Sequence, residues 1–358
     1  MANSYERLRD QLYQHDIDLI VSTQKQVIEI YKKLDDEINK ELLNIYKKYN
    51  LPILTDGKPD GPKTIAFMRQ KVKTGDTGKI TRLRALQNDI RKLTNPALLK
   101  KDKLLEQMAG IMLQSGYYEG IYAIENTTGL NLNFTLLNER AIEQKVTSGF
   151  SIFADSTFKE VDKLKIDRAQ AIVQINKEIE IALARGDGAS ELSKKIDQIL
   201  GFRDRDGNII KSGLRKKGQT YKSLRIARTE LMRTLTDGRL MQFEETRGQL
   251  AGEGIESKLQ LVSTLDTRTR TQSARMDGQY SDSEGRFKYP DGQWYFPHNT
   301  GNPAWDVNDR EAVIQVMEGL EPVIRRSKKD GVIPNITFKE WAEKSGITKS
   351  IYNEKYYF

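Results

Sequence analysis

Leu259-Gln260-Leu261-Val262-Ser263-Thr264-Leu265, running on into Asp266-Thr267-Arg268-Thr269-Arg270-Thr271-Gln272-Ser273-Ala274-Arg275-Met276-Asp277-Gly278, is where this chain changes character. The first seven residues are mostly apolar and partly alternate at period two, the mark of a short strand that delivers Asp266 to its end. The next thirteen pack charged and hydroxyl side chains at a density that folded proteins rarely carry without a use. They close on Asp277-Gly278, a turn signal.

Upstream the texture is helical. Residues 5–48 contain neither Gly nor Pro, and Val27, Tyr31, Leu34, Ile38, Leu42, Ile45 and Tyr49 recur at spacings of three and four, so an amphipathic helix is expected. The turns Asp56-Gly57 and Pro59-Asp60-Gly61 end it. A helix over about 79–92 follows, and Pro96 sits where the first turn of the next would begin, on a stripe reaching Tyr122. Further helices are expected over 134–144, 162–184, 190–200 and 220–247. Between the last two, Asp204 to Asn208 has a superficial likeness to a calcium loop but lacks the glutamate at position twelve, so a turn at Asp206-Gly207 is expected.

Downstream, two aromatic runs at 286–289 and 293–296 flank Pro290-Asp291-Gly292 and predict a β-hairpin. A loop over 297–309, a helix over 310–317 and a last short helix over 338–344 complete the reading. The expected fold is α+β and predominantly α-helical. Its divisions are a long amphipathic N-terminal helix (1–50), a helical body (51–250), a small α+β module (251–321) and a C-terminal tail (322–358). The module is too small to bury much core alone and is expected to dock on the 220–247 helix.

The composition narrows the function. Lys and Arg number 58 against 50 Asp and Glu, a net charge of +8 that favours an anionic partner such as nucleic acid. No apolar run approaches the length of a membrane span, and the N-terminus lacks the pattern of a signal peptide. Cysteine is absent, which excludes thiolate metal sites and disulfides. The two histidines, His15 and His298, leave little for a His-based catalytic set, and no phosphate-loop, dinucleotide-binding or nucleophile-elbow motif occurs.

Ile226-Ala227-Arg228-Thr229-Glu230 on a helix, the strand with Asp266-Thr267-Arg268-Thr269-Arg270 after it, Asp277-Gly278, and a proline-containing segment ending in Asn308-Asp309-Arg310-Glu311 form an ordered succession. Over roughly residues 160–315 this succession resembles the Mu F-like minor head proteins of tailed bacteriophages. The resemblance implies a non-enzymatic virion protein made in the host cytoplasm. It would act in head morphogenesis near the portal in the capsid interior, with the portal and other head proteins as partners, contacting packaged DNA, with ejection alongside that DNA as a further implied step. Many members carry a histidine at the position of Ser273 and Cys-Arg-Cys at 309–311, a set suited to zinc. Here Ser273, Asp309 and Glu311 stand there, so no metal is expected and ion pairs with Arg310 and its neighbours should hold the turn. Some members are joined to toxin-like transferase domains, for which this chain leaves no room.

Arg228 lies beside the apolar stripe of its helix and requires a carboxylate; Asp266 or Asp277 is the expected partner, and Glu230 is expected to hold Arg268 or Arg270. Arg228, Glu230, Asp266, Arg268, Arg270, Asp277 and Arg310 are therefore read as a structural charged cluster, with no catalytic residue and no cofactor. Lys211, Arg215, Lys216, Lys217, Lys222 and Arg225, uninterrupted by any acid, are the expected contacts to the double-stranded DNA backbone, weak and non-specific. Two alternatives stand beside this reading: a metal-dependent nuclease or other nucleic-acid enzyme using Asp266, Asp277 and Glu230, and a plain non-specific DNA-binding protein.

Overall fold

A computed structural model describes residues 4–48, 78–138, 140, 142, 160–185, 189–204, 208, 210, 218–327 and 330–345. Among them the helices are α1 (Ser4–Lys48), α2 (Gly78–Thr128), α3 (Glu160–Arg185), α4 (Ala189–Leu200), α5 (Gln219–Gly252), α6 (Thr271–Met276), α7 (Pro303–Asp306) and α8 (Phe338–Lys344). The strands are β1 (Ser257–Val262), β2 (Phe287–Lys288), β3 (Trp294–Tyr295), β4 (Ala312–Met317), β5 (Ile324–Ser327) and β6 (Gly331–Pro334). The fold is α+β and predominantly helical. The expected divisions run sequentially, whereas the contacts group the chain into two interleaved units: Met1–Val21, Glu106–Glu160 and Arg228–Phe358 form one, Ser22–Leu105 and Val161–Ala227 the other.

The second unit is a helical bundle. Val27, Tyr31, Leu34, Ile38 and Leu42 of α1 meet Ile90, Leu98 and Leu105 of α2, Ile175 and Ile179 of α3, and Leu192 and Ile196 of α4. Pro96 does not begin a helix; it lies inside α2. An interior proline costs about 3 kcal/mol, but Ile90, Leu98 and Leu105 present one buried face on both sides of it, and that packing carries the helix through. Lys101 is fully buried beside Asp102 at 3.1 Å, with Arg168 on that same carboxylate at 2.7 Å.

Asp35 of α1 and Asp197 of α4 also face each other here. Burial first, then the neighbouring Asp197, pushes the Asp35 carboxyl up to about 8. Its folded value lies above the ordinary one near 3.9, so its contribution is fully present below about pH 4 and is lost as the pH rises towards 8. Asp35→Asn supplies a permanent donor to Asp197. We expect the variant to be the more stable at pH 8, by about 1–2 kcal/mol after allowance for solvent at the half-buried site, and equal to the native chain at pH 4. Urea titrations at both pH values, followed by helical circular dichroism, read the difference.

In the first unit α2 and α5 touch backbone to backbone. A Cβ on Gly238 would lie 2.2 Å from the carbonyl oxygen of Leu113, and one on Gly116 would lie 2.2 Å from that of Leu235. Met112, Leu231 and Leu235 pack around this crossing with Ile20 of α1. Leu240 and Phe243, further along α5, form the floor for Leu259, Leu261, Phe287, Phe296 and Val313, so the small module docks on α5 as expected.

Residues 312–317 are a strand, not the expected helix. β4 pairs antiparallel with β1 from Ser257↔Met317 to Val262↔Ala312. Val313, Ile314 and Val316 are β-branched and favour the extended state once a partner edge exists, and the sequence alone does not display that partner. Residues 134–138 are irregular rather than helical, held by Thr135 N–H to Glu245 (3.0 Å) and Leu137 N–H to the Tyr118 hydroxyl (2.6 Å); of 139–144 only 140 and 142 are described, as helical. The hairpin pairs Phe287 with Tyr295 around Gly292 at φ 82°. Residues 322–345, read as part of a tail, carry the β5–β6 hairpin and α8, whose Phe338 and Trp341 pack on Leu265 and Ala274. Thr337 and Glu340 cap α8 reciprocally.

Candidate functional site

Three knots of charge tie the module together, each built on one carboxylate. The first is Asp266, just past the end of β1. Arg310 grips it through two parallel bonds of 2.7 and 2.8 Å, and Arg268 adds its backbone N–H at 2.8 Å and its guanidinium at 3.2 Å. The Arg310 guanidinium holds the Asp266 carboxyl well below the usual carboxylate range. The sign follows: a depressed folded value gives stability present above about pH 4 and lost as the pH falls further. Arg310 is 28% exposed, so water screens part of the pair. Asp266→Asn is expected to destabilise the module by about 1–2 kcal/mol at pH 7, with the gap closing as the pH falls from 4 towards 2. Tryptophan-monitored unfolding checks this, since Trp294 and Trp305 lie in the module and Trp341 of α8 packs against it.

The second knot is Asp277, at the C-terminal end of α6. Its carboxylate accepts from Ser263 N–H (2.6 Å), Phe338 N–H (2.6 Å) and the Arg325 guanidinium (2.7 and 3.0 Å). The end of β1, α6, β5 and the start of α8 thus meet on one side chain. Asp277 is fully buried and Arg325 only 8% exposed.

The third lies in the loop before β4. Asp309 is met by Arg270 at 2.9 Å and by the Arg310 N–H at 2.8 Å, while Arg270 also donates to the Trp305 carbonyl at 2.7 Å. Asn308, at φ 56°, is clamped by α5: its side chain accepts from Arg228 at 3.1 Å and its N–H donates to Thr229 at 3.0 Å. The helix motif and the loop motif singled out in the sequence therefore meet, at Asn308.

Their expected partners do not. Asp266 and Asp277 are held by Arg310 and Arg325 rather than by Arg228, and Glu230 pairs with Arg233 one turn along α5 at 2.9 Å rather than with Arg268 or Arg270. Arg233 and Arg325 were the members sequence reasoning missed. The i,i+3 spacing of Glu230 and Arg233 was a usable signal, whereas Arg325 stands 48 residues from Asp277 and gives none. Lys211, Arg215, Lys216 and Lys217 lie outside the described residues; Arg225 is exposed and Lys222 half-buried on α5.

Asp266, Asp277 and Glu230 each face their own arginine and do not converge as ligands. Among the described residues the group that gathers at ligand spacing is His15, Asp16 and Glu119, and there Asp16 already receives Arg239 at 3.0 Å.

Helices carrying a small α+β module, whose loops are held by arginine–carboxylate clamps, are the architecture the chain presents, and the chain is similar to a phage minor head protein. It is 23% identical over 329 residues to minor head protein GP7 of Bacillus phage SPP1, covering 90% of this chain and 93% of GP7. It is also 22% identical over 322 residues to the NAD(+)–arginine ADP-ribosyltransferase EFV of Enterococcus faecalis, covering 89% of this chain and spanning 59% of the transferase's length. No family model matches the chain, and no solved structure does.

Proposed function

We propose that this chain is a non-enzymatic minor head protein of a tailed phage that acts in head morphogenesis. In this reading it resides in the virion beside the portal, contacts the backbone of the packaged DNA, and leaves with it on ejection. The observation that carries the reading is the match to GP7 along nearly the full length of both chains. The arginine–carboxylate knots support it: they saturate the carboxylates that a metal-dependent nuclease would need open. The transferase match leaves much of that enzyme without a counterpart here, so its named activity is not carried over. The basic run from Lys211 to Arg225 supplies charge for phosphate contact.

Co-sedimentation with the cognate portal protein, beside a DNA mobility shift titrated with salt, tests the proposal. Portal binding with weak DNA affinity that collapses as salt rises is the expected result. Tight DNA binding at physiological salt without portal binding would favour a plain DNA-binding protein. Metal-dependent cleavage of DNA, abolished by Asp266→Ala, would replace the proposal with an enzyme.

A further inference from the structure

The loop that carries Asp309 and Glu311 buries two carboxylates against a single cation. Each residue is only 2% exposed. Arg270, from the start of α6, answers Asp309 at 2.9 Å, while the side chains that reach the Glu311 carboxyl are the neutral Ser273 hydroxyl and Asp309 itself, with no ion pair to a cation of its own among the described residues. His298 lies against both residues: its Nε2 is 2.9 Å from the Glu311 backbone carbonyl oxygen, and its buried Nδ1 is 3.7 Å from Asp309 Oδ2. The Tyr289 hydroxyl, beyond the hairpin strand β2, is likewise buried without a partner in the field of both carboxylates, with Asp306 of α7 also acting on it. Ser273 of α6 flanks Glu311 and brings no charge. Two buried carboxylates against one guanidinium call for a proton in a dry interior, because a fold does not keep a carboxylate there without an answering charge when a proton is available.

We propose that Asp309 and Glu311 share one proton in the folded chain, and that this proton is a latch: its loss at alkaline pH releases the 297–311 loop from α6 and the hairpin and loosens the module. The latch goes beyond the head-protein reading and operates whatever the chain assembles with. Burial, then the neighbouring Asp309, pushes the Glu311 carboxyl well up from its ordinary range, in keeping with the geometry. The folded state then holds a proton that the unfolded state gives up above about pH 4. The latch is fully closed below that pH, and its contribution is lost as the pH rises. Each pH unit in this window multiplies the unfolding constant about tenfold.

The test is denaturant unfolding of the full chain from pH 5 to pH 9, read by the fluorescence of Trp294, Trp305 and Trp341, for the native protein and for Glu311→Gln, whose amide replaces the protonated acid. The expected result is a native unfolding constant that climbs with pH about tenfold per unit more steeply than the variant's, leaving the variant the more stable at pH 8. Parallel pH profiles would overturn the proposal. Should Glu311→Gln not fold, the profile of Asp35→Asn decides, because that variant lacks the other carboxyl that loses stability in this window, and a tryptophan-monitored stability in it that does not fall between pH 5 and pH 8 would overturn the latch. The same titration with zinc or magnesium against a chelator supplies the remaining arm. A saturable, chelator-reversible stabilisation that abolishes the pH slope would show that a cation, not a proton, answers the charge.

Discussion

Asp277→Asn is expected to destabilise the module by about 3–5 kcal/mol, a large fraction of what a domain of this kind has to lose. The substitution hardly alters shape, so the loss is electrostatic: the Arg325 guanidinium stays buried with its charge unanswered, and the Ser263 and Phe338 N–H groups compete for one amide oxygen. Because four elements meet on this carboxylate, β5 and α8 should loosen together. Hydrogen exchange at the amides of 324–344 would register both. The double variant Asp277→Asn/Arg325→Met should recover part of the loss, since a buried charge without its partner costs more than the absence of the pair. If Asp277→Asn alone cost under about 1 kcal/mol, water would have to reach Arg325 and the knot would be a surface ion pair in effect.

Gly238→Val should be as damaging in the core of the same unit. Even the first atom of its side chain would lie 2.2 Å from the Leu113 carbonyl oxygen and 2.9 Å from the Tyr117 nitrogen, both backbone, so α2 and α5 must part. Overpacking of this kind costs about 3 kcal/mol or more, because a helix cannot yield as a side-chain tip can. An internal control lies on the same helix: a Cβ on Gly248 meets nothing within 4 Å. Gly248→Ala is therefore expected to gain about 0.5–1 kcal/mol from helix propensity. Thermal melts of the two variants should move in opposite directions, and a shared direction would refute the close crossing as the cause.

What could be read from the sequence was what depends on neighbours a few residues away. The stripe from Val27 to Leu42 declared α1, Pro290-Asp291-Gly292 declared the hairpin, and the α8 helix was legible around 338–344. What depends on distant neighbours was lost. Residues 312–317 are as apolar as a buried helix segment, and only the edge of β1, more than fifty residues back, makes them a strand. Part of the charged cluster was legible, since Asp266 and Arg270 meet Arg310 and Asp309 while Asn308 meets Arg228 and Thr229. Its pairings were not, because any of several arginines satisfies a carboxylate equally well until the backbone fixes which one arrives. Glu311 was legible only as a difference in residue type from the resembled family; that it is buried without a partner required the packing around it.

The interleaving of the two units also sets a timetable. Every residue of the unit formed by Ser22–Leu105 and Val161–Ala227 has been synthesised before the last hundred residues are made. The other unit has its opening segment, Met1–Val21, made first and its counterpart made last: the Tyr5 hydroxyl donates to the carbonyl of Gln315, 310 positions away, at 2.9 Å. During synthesis, then, Tyr5 and Ile20 at the start of α1 can settle early on Tyr117 and Met112 of α2, but the contact with β4 waits for residues 312–317, and for that interval the unit stays incomplete and exposed to aggregation.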